Sequence, residues 1–340
     1  MINLEFYNNF QLENRFRQKE EKKSIRLMSG LAALGVAGYL MINFMMSFPL
    51  ILMPAVSDLY MNDPTFQSVV TIFLSVFGML IPFGLCGFYL EKRTGREVYK
   101  FNKPVSVPLM ITAVFLGFFV CLVGNYVTSL FVEAMSSIGI TLTAPELATP
   151  EDLPGRIIYA VAIAVVPALV EEFAIRGAVM QPLRRHGDWF AIVASAIVFA
   201  VLHGNLIQAP FALIAGIGIG YAVCVTESMW TGVIIHFCNN LYAVVTEFMI
   251  ADIPDEERLN TVYYIVMVVL YAVSIAGTVA FVVIRNNCRL LRPASVLSGG
   301  QKMAAFIFSL PMIAALAVML AMTTQYVDAS ALFEKIKDVF

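Results

Sequence analysis

The sequence has few charged residues for its length. Of its 340 residues, 14% are charged and 59% are hydrophobic, and the mean hydropathy is +0.80. A soluble domain carries about 25% charged residues. This shortage of charge excludes an ordinary soluble protein and predicts an integral membrane protein whose surroundings are a lipid bilayer.

The sequence also lacks the signatures of common cysteine sites and of nucleic-acid binding. Its cysteines are odd in number and show no CxxC or zinc-finger spacing, which predicts small core residues rather than disulfides or a metal centre. No basic surface interleaved with aromatic residues is visible, so no nucleic-acid partner is expected. The five cysteines are Cys86, Cys121, Cys224, Cys238 and Cys288.

Long apolar runs take up most of the chain and predict an all-α polytopic membrane protein with about nine transmembrane helices. One run, Trp189–Leu202, has only 14 residues and predicts a tilted or partly re-entrant helix, which is tolerated where protein surrounds it. No signal peptide is recognisable before the first run. The runs lie near 27–54, 66–90, 105–132, 157–183, 189–204, 206–226, 228–250, 261–284 and 303–325.

Lysine and arginine alternate between the predicted connections. The first 26 residues hold six of them, 91–104 five, 184–188 two and 285–302 four, whereas the intervening segments hold only four in all. By the positive-inside rule this predicts a cytoplasmic N-terminus and an external C-terminus. The predicted organisation is a polar leader over 1–26, three-helix and two-helix membrane regions over 27–135 and 251–340, and a catalytic membrane domain over 155–250.

The segment Val170–Met180, VEEFAIRGAVM, places three charges inside an apolar run. Each such charge costs about 2.5–3.5 kcal/mol at a helix centre, so charges kept there indicate function. Glu172 and Arg176 stand at i and i+4, the favourable order for an ion pair. Glu171 lies about 100° around the helix and remains available as a general base.

Two histidines interrupt later apolar runs. His203 follows Phe199 by one helical turn, and His236 precedes Asn240 by one turn on the same face. Counting about 1.5 Å per residue from the helix ends places both histidines within the membrane, at depths where they can meet Glu171. Such a group could hold a water for nucleophilic attack, either directly or on a zinc ion bound by His203 and His236. The third histidine, His186, follows Arg184 and Arg185 in a turn and is expected to be solvated.

The ordered motifs EExxxR, FxxxH and HxxxN resemble those of the CPBP or Abi family of CAAX-processing and bacteriocin-processing intramembrane proteases, which includes the Ras-converting endopeptidases. They lie at Glu171, Glu172 and Arg176, then at Phe199 and His203, and finally at His236 and Asn240.

The resemblance implies a role for each of these residues. Glu171 would activate water, while His203 and His236 would hold that water or a metal. Asn240 would help hold the oxyanion or the water, and Arg176 would pair with Glu172. The implied substrate is the C-terminus of a lipid-modified protein or a membrane-associated peptide, and the expected location is a bacterial cell membrane.

The same sequence also bears on other classes of membrane protein. HExxH, GxGD and GxSG are absent, which sets aside site-2-type, presenilin-type and rhomboid proteases. A non-enzymatic scaffold or an immunity-type protein with the same fold stays open, because Glu172 and Arg176 alone could serve as polar glue between helices. A transporter would also carry midplane charges but is disfavoured by the absence of a repeated half. The oligomeric state is left open.

Overall fold

The computed structural model describes residues 4–145, 147–285 and 290–332. This part of the chain is almost entirely helical, with one short antiparallel pair formed by β1 (Thr141–Leu142) and β2 (Val327–Asp328). The helices are α1 (Leu4–Met46), α2 (Phe48–Leu52), α3 (Pro54–Asn62), α4 (Pro64–Thr94), α5 (Val107–Ser137), α6 (Leu153–His186), α7 (Asp188–Leu202), α8 (Gln208–Thr226), α9 (Met229–Asp252), α10 (Glu256–Ile284), α11 (Gly299–Ile307) and α12 (Leu310–Thr323).

Each of the nine predicted apolar runs contains helix. Among the described residues, seven helical stretches are long and apolar enough to cross a membrane, and α11 with α12 forms an eighth candidate that is bent by 70°. The remaining run is the short α7. The all-α polytopic class is therefore confirmed, while the orientation inferred from the loop charges stays a prediction.

One continuous helix joins the predicted leader, 1–26, to the first apolar run. This helix, α1, ends at Met46, before the predicted run does. Pro49 and Pro54 then begin the short helices α2 and α3, because proline suits the first turn of a helix but interrupts its interior.

The short helix α7 is the most enclosed of the apolar helices. Most of its side chains are buried, including Ala191, Ile192, Ala194 and Phe199. Its 15 residues span about 22 Å, less than the hydrocarbon core of about 30 Å. Neighbouring helices surround it, so it does not need to match the bilayer thickness.

The helix α6 carries the EExxxR motif and is irregular at two places. Asp152 caps its N-terminus, where the Asp152 side chain accepts a hydrogen bond from Gly155 N. π-Helical turns occupy Val161–Val165 and Phe173–Met180, one on either side of the paired glutamates. Such turns are frequent at functional sites because they re-aim side chains and free backbone groups.

The end of α6 corrects one expectation. His186 is buried rather than solvated, with 8% of its surface exposed. Its Nε2 atom lies 2.9 Å from the Ser24 hydroxyl of α1, and Lys302 of α11 donates to its carbonyl oxygen at 2.6 Å. The residues next to His186 in the sequence do not predict these contacts, because both partners lie more than a hundred positions away.

Candidate active site

The predicted residues of α6, α7 and α9 meet at one cavity of about 570 Å³. Glu171, His203, His236 and Asn240 all line it. The helices before them also contribute, through Tyr39 of α1, Thr71 and Met79 of α4, and Cys121, Asn125 and Thr128 of α5.

The two adjacent glutamates have different environments. Glu171 lines the cavity and keeps 19% of its side chain exposed, whereas the side chain of Glu172 is completely buried. The difference follows from the helix, which turns successive side chains about 100° apart. Glu171 is therefore placed to meet a substrate or water, and Glu172 acts from behind the cavity wall.

Glu172 is held from two sides by charged or polar groups. Its Oε1 atom lies 3.1 Å from His236 Nδ1, and its Oε2 atom lies 3.2 Å from Arg176 Nε. Arg176 is also fully buried, and its guanidinium carbon lies 5.0 Å from the centre of the Phe199 ring. A buried ion of either sign is costly alone, so each of the two charges depends on the other.

His236 lies between the two glutamates. A carboxylate can only accept a hydrogen bond, so the contact with Glu172 assigns the proton to Nδ1 of a neutral His236. Nε2 then carries the lone pair and lies 3.7 Å from Glu171 Oε2. That separation is too long for a direct hydrogen bond, and a water beside it can contact both atoms.

His203 is oriented by the backbone of its own helix. Its Nδ1 atom lies 2.8 Å from the Phe199 carbonyl oxygen, which makes Nδ1 the donor. The Phe199 ring packs edge-on against His203 at 4.8 Å and against His236 at 5.8 Å between ring centres. Phe199 thus helps to fix both imidazoles, and Nε2 is the nitrogen that His203 has available for the cavity.

Asn240 ties α9 to the first irregular turn of α6. Its Nδ2 atom donates to the Ile163 carbonyl at 3.0 Å, and its Oδ1 accepts from Asn239 at 3.2 Å. Pro167, four residues after Ile163, has no N–H to give to that carbonyl. Asn240 thus supplies a donor where the helix lacks one, and its second amide hydrogen is not used by this bond.

Three residues that shape the site lie outside the sequence motifs. A Cβ on Gly232 would lie 2.5 Å from Glu172 Oε2, so the absence of a side chain makes room for the carboxylate. Tyr99 lies in the connection after α4, where it stacks on Phe173 at 4.0 Å between ring centres and would clash with any Cβ on Gly177. In the sequence, these residues are indicated only by the positions of two glycines. Gly232 lies one turn before His236, and Gly177 directly follows Arg176.

In the part of the chain that it describes, the structure brings together fewer candidate ligands than the zinc site expected from the sequence would need. Among the described ranges, no group of three or more histidine, cysteine, aspartate or glutamate side chains is placed to hold a metal. Catalytic zinc sites use about three protein ligands, and His203 and His236 supply two imidazoles that each have Nε2 available. The zinc expectation therefore gains no support from the described residues and stays a prediction.

A second charged group joins the end of α6 and the start of α7 to Glu227, which lies in the turn between α8 and α9. Arg184 contacts Asp188 at 2.7 Å and Glu227 at 2.5 Å. Burial acts to raise the pKa of Glu227, but the hydrogen bond and charge of Arg184 outweigh it and hold that pKa below its ordinary value. Glu227 also has a left-handed backbone, with φ of 52°, which is uncommon for a residue with a side chain.

The fold and the cavity together define an all-α integral membrane protein with a glutamate–histidine site enclosed by its helices. Residues 153–242 match the family described as type II CAAX prenyl endopeptidase Rce1-like. All six residues of the sequence motifs with proposed roles fall in this segment, which is about a quarter of the chain. No curated protein and no solved structure matches the chain.

The family match confirms the resemblance given by the motifs. Residues 153–242 are therefore similar to membrane proteases of the CAAX-processing, CPBP type. Prenylated proteins or peptides and a lipid bilayer are the partners that this family implies, while metalloprotease chemistry gains no support from the match or from the ligand arrangement.

Proposed function

We propose that the protein is a glutamate-dependent intramembrane endopeptidase in which Glu171 activates water. The observation that carries the proposal is the placement of Glu171 Oε2 beside His236 Nε2 at the wall of the cavity. Glu171 takes a proton from a water, and the oxygen of that water attacks the peptide carbonyl. The protonated Glu171 then gives the proton to the leaving nitrogen as the C–N bond breaks, which leaves a carboxylic acid and an amine.

Glu172 and Arg176 act as positioning residues. Glu172 accepts the Nδ1 proton of His236, so Nε2 of the neutral ring can accept the second hydrogen of the water. Arg176 balances the charge of Glu172 inside the bundle. A carboxylate held in this way orients the histidine without meeting the substrate.

His203 and Asn240 face the charge that develops on the substrate oxygen. Asn240 donates through the amide hydrogen that Ile163 does not use, and His203 can donate through Nε2 only when both of its ring nitrogens carry a proton. Preorganised donors of this kind stabilise a transition state by about 3–4 kcal/mol each. In this proposal both side chains are held before the substrate arrives.

The proposed substrate is the C-terminal region of a lipid-modified protein or a membrane-associated peptide. The site lies within apolar helices, and Tyr39, Met79 and Phe211 add largely apolar surface to the polar groups of the cavity. A lipid-linked or membrane-embedded chain can reach such a site from within the bilayer.

The test compares peptide termini across the proteome in cells that produce wild-type protein or Glu171→Gln at equal levels. The proposal predicts new termini that require the wild type and disappear with the variant. If no terminus changes while the variant still rescues a deletion phenotype, the protein acts as a scaffold or an immunity-type protein instead.

A further inference from the structure

A second and larger cavity, of about 1460 Å³, lies at the end of the bundle where α6 finishes. We name it the basic cavity. Its walls come from 16–27 of α1, 90–96 of α4 with the residues that follow, 184–186 of α6, and 291–296 before α11. It shares no lining residue with the cavity of Glu171. Arg184 follows Glu171 by 13 positions in α6, or about 20 Å along the helix.

The lining of the basic cavity is strongly positive. Eight of its residues are arginine or lysine and two are glutamate. Arg184 and Arg17 already have acidic partners. The other six form no ion pair with any acidic side chain in the described part of the chain. These six are Lys23, Arg26, Arg93, Arg96, Arg185 and Arg292.

The two glutamates do not cancel this charge. Glu21 is engaged by the Ser295 hydroxyl at 2.6 Å, by the Val296 N–H at 3.2 Å and by His186 at 3.4 Å. Glu20 is solvent-exposed and supplies one negative charge against the six cations that form no ion pair. Arg185 meanwhile experiences the like charges of Arg93 and Arg96. The positive charge is therefore an excess that an added anion would relieve.

The walls of the basic cavity are tied to one another. Ser24 of α1 contacts both Arg185 and His186 at the end of α6. Lys302 of α11 donates to the His186 carbonyl at 2.6 Å, and Glu21 holds the segment before α11 through Ser295 and Val296. The arginines are thus carried by fixed elements, which lowers the ordering cost of binding.

We propose that the basic cavity binds a phosphate-bearing anion, the chemistry shared by an acidic phospholipid headgroup and by soluble phosphate. Guanidinium groups pair with phosphate oxygens through two parallel hydrogen bonds, so several arginines around one space suit this ligand. The cavity lies at the ends of apolar helices, and Phe16, Leu27 and Leu90 line it beside the cations. Basic pockets between membrane helices commonly take lipid headgroups.

The test uses purified full-length protein in neutral detergent. The probes are short-chain phosphatidylglycerol, short-chain phosphatidylcholine and sodium phosphate, and the readout is binding measured by thermal shift at constant ionic strength. Arg93→Gln/Arg96→Gln removes two exposed cations of the cavity. Lys92→Gln/Lys103→Gln removes the same charge from exposed residues nearby that do not line it.

The proposal predicts that phosphatidylglycerol or phosphate stabilises the wild type and that affinity falls at least about tenfold in the arginine variant. The lysine variant should stay within about twofold at an ionic strength of about 0.15 M, where diffuse surface charge is largely screened beyond about 8 Å. A response to phosphatidylglycerol alone identifies the lipid source, and a response to both identifies phosphate itself.

Two results would overturn the proposal. One is equal weakening in the arginine and lysine variants, which would show only diffuse attraction. The other is no response of the wild type to phosphatidylglycerol or to sodium phosphate. The double arginine variant should fold, because neither side chain has an acidic partner; Arg292→Gln gives an independent second variant on another wall.

Discussion

Asn240 donates a hydrogen bond at 3.0 Å to the carbonyl oxygen of Ile163, the group that Pro167 leaves without its α-helical donor. This bond joins the HxxxN motif of α9 to α6 two turns before Glu171. The asparagine therefore has a structural duty besides the role proposed for it in the reaction. Changes at this position should affect both the stability of the helix pair and the placement of Glu171.

The first prediction concerns Asn240→Leu. The substitution leaves the Ile163 carbonyl without this donor in an apolar surrounding, at a cost of about 1–3 kcal/mol. Thermal unfolding in detergent should show a lower midpoint, and activity should fall as well. The matched control is Asn125→Leu, because Asn125 makes a longer bond of 3.4 Å to Asn239; an equal loss in both variants would contradict the account.

The second prediction concerns Gly232. The Cβ of Gly232→Ala would lie 2.5 Å from Glu172 Oε2, so the carboxylate or α9 must shift, at about 1–3 kcal/mol for overpacking. Because the same carboxylate orients His236, kcat should fall more than stability alone explains. Gly299→Ala serves as the control, since a Cβ there meets no atom within 4 Å. Wild-type kcat in Gly232→Ala would show that Glu172 does not need this space.

The third prediction is a pH dependence at the turn between α8 and α9. The pKa of Glu227 is lower in the folded state than its ordinary value of 4.5, so its stabilising effect is present above that value. The effect is lost as the pH falls through the lowered folded-state pKa. Wild type should therefore unfold at a higher temperature than Glu227→Gln at about pH 7, and the difference should shrink toward about pH 3.

The substitution Glu227→Gln keeps the side-chain length and the left-handed backbone, so it isolates the charge. Asp188 still pairs with Arg184 in the variant, and the difference should be modest. A gap between the two proteins that widens on acidification would contradict the assignment.

The sequence predicted the helices well and singled out four residues that line one cavity, for reasons specific to membranes. Charges such as Glu171 and Arg176 stand out against an apolar run, and counting residues along straight helices gives their depth. Counting residues along one helix does not predict contacts between residues that are far apart in the sequence. Ser24 and Lys302 contact His186 from other helices. The bend between Ile307 and Leu310 cannot be predicted from the hydrophobic length of the segment. The space at Gly232 depends on how closely α6 and α9 approach each other.

The most direct measurement of the central claim is the single-turnover cleavage of a prenylated peptide by reconstituted wild type, Glu171→Gln and Glu172→Gln, with thermal unfolding recorded for each. The account predicts that Glu171→Gln unfolds like the wild type but cleaves at least about 10²-fold more slowly, as expected for loss of a general base. Glu172→Gln should lose both stability and rate, because it leaves Arg176 buried without its partner charge. A stably folded Glu171→Gln protein that cleaves within about tenfold of the wild type, well short of the loss expected for a general base, would contradict the account.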